Sequence, residues 1–165
     1  MRNILTARPL TPDAFAPFGE VLQTDKAEIR IINGGTTERF HALASVQVSD
    51  GEAIVSLFRG QPRGFPFAVV MMERHPLGSQ AFYPLQDRSW LVVVAEDIGG
   101  IPGRPVVFLA SGCQGVNYAR NVWHHPLVAL DTVSDFLVVD REGRGNNLEE
   151  YFYPEAYSIE QPVVA

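Results

Sequence analysis

The chain has 165 residues, a formal net charge of −6, an apolar fraction of 46% and a charged fraction of 19%. That length and composition predict one folded domain over residues 1–165 and exclude a disordered chain, while the acidic balance and scattered basic residues argue against a nucleic-acid partner. Cys113 is the only cysteine, which excludes an internal disulfide, a thiolate zinc cluster and a Cys-x-x-Cys redox pair; the opening MRNILTARPLTPD carries no signal-like apolar run and no later stretch could span a bilayer, so a cytoplasmic protein without membrane contact is expected.

From the N-terminus, LTPDAFAPFGEVL predicts one short helix, with Thr11 as N-cap, Pro12 in the first turn, Pro17 limiting its length and Gly19 as its stop. Val46 and Val48 then alternate with polar residues, Asp50-Gly51 is a turn signal, and Ala53 to Phe58 is a second apolar run, which together read as a hairpin. Further short strands are expected at Phe67 to Met72, Gln80 to Leu85, Trp90 to Ala95, Val106 to Ala110, Val116 to Val122, Leu127 to Leu130 and Phe136 to Val139. Eight or nine such strands with almost no helix between them predict an all-β sandwich or barrel, because parallel strands would need helical crossovers. The C-terminal LEEYFYPEAY is rich in tyrosine and reads as a segment docked on the body or on a partner subunit.

Three of the four histidines lie in two segments, ERHPLGSQAFYP (Glu73 to Pro84) and GVNYARNVWHHPL (Gly115 to Leu127). Both mix polar and aromatic residues as small-molecule pockets do. If Tyr118 to His124 is extended, Tyr118, Arg120, Val122 and His124 share one face and Asn117, Asn121, Trp123 and His125 the other. Only one of His124 and His125 then faces inward, and His124 is favoured because Pro126 marks a strand end just beyond it. Gln80 shares a face with Phe82 and needs hydrogen-bond partners there, which a ligand could supply. Upstream, INGGTTERFHAL offers Asn33, a flexible Gly34-Gly35 pair, Arg39 and His41; Arg39 suits a carboxylate ligand, although a surface ion pair is the commoner fate of an arginine. No dinucleotide, P-loop or serine-elbow motif occurs, and the single lysine, Lys26, sits in a polar stretch, so neither an organic cofactor nor Schiff-base chemistry is expected.

Together, ERHPLGSQAF, GVNYARNVWHHPL, INGGTTERFH, the opening LTPDAFAPFGEV and VVDR near the C-terminus resemble the ureidoglycolate lyase family of allantoin degradation, over nearly the whole chain. The resemblance implies a cupin-like double-stranded β-helix barrel, a homodimer, and cleavage of (S)-ureidoglycolate to glyoxylate and urea. Such an elimination needs a group to take the hydroxyl proton and another to protonate the departing nitrogen. His124, His75 and Arg120 are the expected catalytic residues, with Asn33, Arg39, Gln80, Tyr118, Asn121 and Trp123 binding substrate and either Arg39 or Arg120 holding its carboxylate. His75 and His124 are also the expected ligands of a divalent ion such as nickel or manganese, bound loosely because two imidazoles and a carboxamide make a weak site. Two rivals are another metal-dependent cupin enzyme acting on a small acid and a ligand-sensing barrel without catalysis.

Overall fold

The run Trp90–Ala95 is buried at all six positions, and its alternate side chains belong to two different cores. Trp90, Val92 and Val94 pack with Phe15, Phe82, Phe108, Val116 and Phe136, while Leu91, Val93 and Ala95 pack with Val69, Met72, Val107, Trp123 and Ile159. A strand covered on both faces reads as an unbroken apolar run rather than an alternating one, which is why WLVVVA contains no polar residue. The computed structural model describes residues 3–164; the first two residues and the last residue of the expected 1–165 domain lie outside them.

Two sheets enclose the first core. The smaller runs Gly19–Leu22, Gly115–Tyr118, Gln80–Pro84, Ser134–Glu142 and Glu52–Gly60, each neighbour antiparallel. The larger runs Ile4–Leu5, Glu149–Ile159, Phe67–Arg74, Trp123–His124, Trp90–Ala95, Val106–Ala110 and Arg8–Pro9, with Val128–Ala129 also paired to Trp90–Ala95. Among the described strands, only the two N-terminal ones pair in parallel. This is the expected all-β, cupin-like architecture, with a single α-helix among the described residues, at Pro12–Phe15. Thr11 caps that helix by accepting from the Ala14 amide at 3.3 Å, and Phe15 is fully buried. The helix ends at Phe15, before the expected stop at Gly19; Gly19 instead opens the next strand at φ +146, where an added Cβ would meet the Asn117 carbonyl oxygen at 1.9 Å, and only glycine lets the strand pack so closely.

The expected hairpin through Asp50-Gly51 changes in detail. Ala53 to Phe58 does lie in a strand, but Glu52–Gly60 pairs along its whole length with Ser134–Glu142, and Val48 makes only an isolated bridge to Gly78. The Asp50-Gly51 turn instead presents the carbonyls of Ser49 and Asp50 to the Arg141 guanidinium, both at 2.6 Å. A buried arginine needs such acceptors, and that requirement decides the turn's role. The tail docks on the chain's own body, pairing with Phe67–Arg74 and with Ile4–Leu5.

Candidate active site

Both histidine-bearing segments cross from one sheet to the other at the same end of the barrel. Glu73 is the penultimate residue of the Phe67–Arg74 strand of the larger sheet, the chain turns through His75-Pro76, and Gln80 opens a strand of the smaller one. In the other segment Tyr118 ends a strand of the smaller sheet, and His124 lies in the larger sheet directly opposite Glu73 in the strand register. Between them the backbone turns at Asn121, with φ +68. The crossings therefore bring Glu73, His75, Gln80, Tyr118 and His124 together.

The geometry of this cluster fixes its tautomers. His75 Nδ1 lies 2.8 Å from the Asn147 carbonyl and His124 Nδ1 2.9 Å from the Val122 carbonyl. A carbonyl only accepts, so each Nδ1 carries its hydrogen and each Nε2 turns toward the centre. There Gln80 Oε1 stands 3.1 Å from one Nε2 and 3.2 Å from the other. The Gln80 amide cannot flip to donate, because its nitrogen gives a hydrogen bond to Asp140 Oδ2 at 3.1 Å. Glu73 Oε1 completes the ring, 3.6 Å from His124 Nε2 and 3.9 Å from His75 Nε2. Two nitrogens, an amide oxygen and a carboxylate oxygen all turn electron pairs to one point, a donor set that requires a proton or a metal cation at its centre.

The protonation balance follows from burial and from these neighbours. Burial acts to raise the Glu73 carboxyl, but its interaction with the His124 imidazole, and lesser electrostatic ones with His75 and His125, outweigh it and hold the group below the ordinary carboxylate range. Burial, reinforced by His124, lowers His75 below the usual imidazole value. Burial keeps the Tyr118 phenol protonated by raising its pKa. The Tyr118 ring lies flat against His124, centroids 4.2 Å apart, and limits the imidazole's rotation. On the other side of the sheet Arg74 stacks 4.3 Å over Trp123, and Asp97 Oδ1 accepts from Arg74 at 2.9 Å and from Trp123 Nε1 at 2.8 Å. That clamp fixes the neighbours of Glu73 and His124.

A cavity of about 560 Å³ opens onto this cluster, with Phe58, Phe82 and Leu127 as apolar walls and Glu73 and Gln80 reaching it as polar groups. His75 and His124 stand immediately behind, in contact with Gln80. A larger hollow of about 990 Å³ lies beside Leu10, Gln114 and the Thr24 to Glu28 loop, but there His41 forms no ion pair among the described residues, and no acid–base set comparable to the first converges.

The remaining expected residues occupy other positions. His125, also buried, turns away from Gln80: its Nδ1 meets the Pro126 carbonyl at 2.8 Å and its ring packs edge-on against Phe67. Arg120 does not share a face with His124, because the turn at Asn121 interrupts the extended segment; it is exposed and donates to Ser49 Oγ at 2.6 Å. Asn121 is exposed and gives its backbone N–H to the His75 carbonyl at 2.9 Å. Trp123 supports the site from the far side of the sheet. Asn33 and Arg39 are exposed on a separate hairpin formed by Ile29–Ile32 and Thr37–Phe40, and neither lines the cavity. Glu73 is the functional candidate missed by residue type; the available signal was its position two residues before His75.

A cupin-like barrel with a carboxylate, two imidazoles and a carboxamide gathered at one cavity is the framework of a small-molecule acid–base enzyme. The family model for ureidoglycolate lyase matches residues 2–160. The chain is 63% identical over 164 residues to ureidoglycolate lyase 1 of Rhizobium meliloti (strain 1021), covering 98% of this chain and 96% of that protein. It is 64% identical over 164 residues to the ureidoglycolate lyase of Rhizobium etli (strain CIAT 652), covering 98% and 99%, and 59% identical over 159 residues to that of Brucella melitensis biotype 2 (strain ATCC 23457), covering 94% of each. The chain belongs to the ureidoglycolate lyase family.

Proposed function

We propose that this chain is a ureidoglycolate lyase, a carbon–nitrogen lyase that converts (S)-ureidoglycolate to glyoxylate and urea in allantoin catabolism. The observation that carries the reading is the Glu73, His75, Gln80 and His124 cluster at the cavity, set in a chain so similar to proteins named for that activity.

The substrate carbon bears a hydroxyl, a carboxylate and a ureido nitrogen. As the hydroxyl proton leaves, the C–O bond becomes C=O, and the C–N bond breaks with its electron pair going to nitrogen. That nitrogen takes up a proton and departs as urea. No water is consumed, so no nucleophilic serine or cysteine is needed. Glu73, ionised and facing the cavity, accepts the hydroxyl proton. Burial favours the neutral form of His75, and His124, whose Nε2 lies 3.6 Å from Glu73 Oε1, is the group that gives a proton to the ureido nitrogen. The proton held by Glu73 then returns to His124, restoring the starting state. Gln80, fixed by Asp140, orients the ureido group, and Tyr118 keeps the His124 ring in place.

A loosely bound divalent ion such as nickel or manganese belongs to the same reading. Glu73, His75 and His124 offer one ligand atom each, all within 4.8 Å of one another, and Gln80 Oε1 lies beside both imidazoles; this N/O donor set suits such ions. When bound, the ion supplies Lewis-acid polarisation of the substrate oxygen. The proposed assembly is a homodimer in the cytoplasm. Among the described residues, no helix is long and apolar enough to cross a membrane. The edge strand Glu52–Gly60 exposes Val55 and Leu57, each at 69%, a surface suited to a second copy.

Product analysis tests the reading directly. Stoichiometric urea with glyoxylate supports a lyase, whereas ammonia and carbon dioxide in place of urea identify hydrolysis of the ureido group and overturn it.

A further inference from the structure

We infer that Arg63 binds the carboxylate of the substrate and of the glyoxylate product; this deepens the lyase reading and rests on it for the identity of the ligand. An anion entering this cavity meets an unfavourable field, since the protein carries a formal net charge of −6 and a carboxylate, Glu73, lines the cavity. A cation lining the same cavity is needed to bind an acid there. Arg59 and Arg63 both line the cavity. Arg59 is already committed, its guanidinium bonding both oxygens of Asp135 at 2.8 and 3.0 Å. Arg63 forms no ion pair among the described residues.

The position of Arg63 is built rather than incidental. Its backbone N–H donates to the Ala129 carbonyl at 3.1 Å, and its neighbour Pro62 bridges to the same residue. Its guanidinium sits over the Phe67 ring, 5.7 Å from the centroid, and Phe67 in turn packs edge-on against His125. The aromatic face supports the planar group while leaving its N–H edges free for a bidentate carboxylate. Glu73, Gln80, Phe82 and Leu127 line the same cavity as Arg63, so a substrate held there by its carboxylate shares that cavity with the proposed proton acceptor. Arg39 and Arg120, the arginines singled out by sequence pattern, do not line this cavity.

The test is direct binding of glyoxylate, by calorimetry, to the wild-type protein and to Arg63→Gln, Arg63→Lys, Arg39→Gln and Arg120→Gln variants, alongside steady-state urea release. Loss of one bidentate charge-assisted contact weakens binding about ten- to a hundredfold, so Arg63→Gln should weaken glyoxylate by that factor and raise KM similarly. Arg63→Lys, which keeps the charge but not the fork, should recover part of both, and inhibition by urea should not change. Glyoxylate binding by Arg63→Gln at wild-type strength, or a loss that appears in Arg39→Gln or Arg120→Gln instead, overturns the proposal. Failure of the wild-type enzyme to release urea would overturn the lyase reading separately, because glyoxylate binding is measured without turnover. Arg63 is exposed, and a thermal unfolding scan of each variant distinguishes a local loss from a folding defect.

Discussion

The rings of Tyr118 and His124 are stacked 4.2 Å apart and within 11° of parallel, although the two residues belong to different sheets. The stack ties the His124 imidazole to the opposite wall of the barrel, so the proposed chemistry and the packing can be varied separately at this pair. Tyr118→Phe keeps the ring and should leave kcat within a few fold of wild type, whereas Tyr118→Ala removes a buried aromatic and should cost about 3–5 kcal/mol of stability. His124→Asn should lower kcat about a hundred- to ten-thousandfold. Steady-state urea release together with denaturant unfolding separates the three; a fully active, folded His124→Asn variant would remove His124 from the mechanism.

Glu73 should prove as important as either imidazole. Glu73→Gln preserves shape and removes the proton acceptor, so kcat should again fall about a hundred- to ten-thousandfold while glyoxylate binding survives or strengthens, because the negative charge facing the ligand is gone. Retention of wild-type kcat in this variant would assign the base elsewhere.

Stability should decline on mild acidification. Burial lowers both His75 and His125 from the ordinary imidazole value, so the unfolded chain binds their protons more readily than the folded one. Their contribution is complete above about pH 6.5, the unperturbed value, and is lost as pH falls from there toward the depressed folded values. Glu73 acts in a lower window: its carboxyl is held below the ordinary range, so its contribution is lost as pH falls from about 4.3. Urea midpoints measured from pH 8 to pH 5 should fall in the wild type and fall less in His125→Phe, if the new ring is accommodated. A flat profile through this range would contradict the burial argument.

Metal binding should be weak and should depend on Glu73. Calorimetry with nickel or manganese is expected to give one site per chain, emptied by prolonged chelation, with affinity sharply reduced in Glu73→Gln and His75→Ala. A stoichiometric ion that survives chelation would show a much stronger site than two imidazoles and one carboxylate ordinarily provide.

The edge strand supplies a test of assembly. Sedimentation of the wild-type protein at micromolar concentration should show a dimer, and Leu57→Asp, at a position already exposed, should shift it toward monomer with the fold retained. A monomeric wild type would remove the homodimer from the proposal.

The fold was legible in the sequence because its signals are local. Trp90 to Ala95 and Val106 to Ala110 are bounded by turn residues and match the observed strands, and Thr11 with Pro12 marks the helix start. Pairing partners were less legible, since Asp50-Gly51 has the residues of a hairpin turn but its flanking chain is captured by Arg141 from far along the sequence. At the site, His75, Gln80, Tyr118 and His124 stand out by residue type and do converge. Arg120 appeared to join them only if strand periodicity continued through Asn121, where the backbone turns. Glu73 and Arg63 were hard to find for a different reason: glutamates at strand ends and arginines in loops are common, and what distinguishes these two is the company that tertiary structure gives them.

Because Trp90–Ala95 contributes side chains to both cores, neither layer of the barrel can open without exposing this strand to water. The backbone amides of Val92, Val93 and Val94 should therefore exchange with solvent deuterium only through global unfolding, and their protection should report the full stability of the domain. The hairpin at residues 29–40, whose strands among the described residues pair only with each other, should exchange much faster, giving the chain a slow centre and a fast arm within one equilibrium experiment.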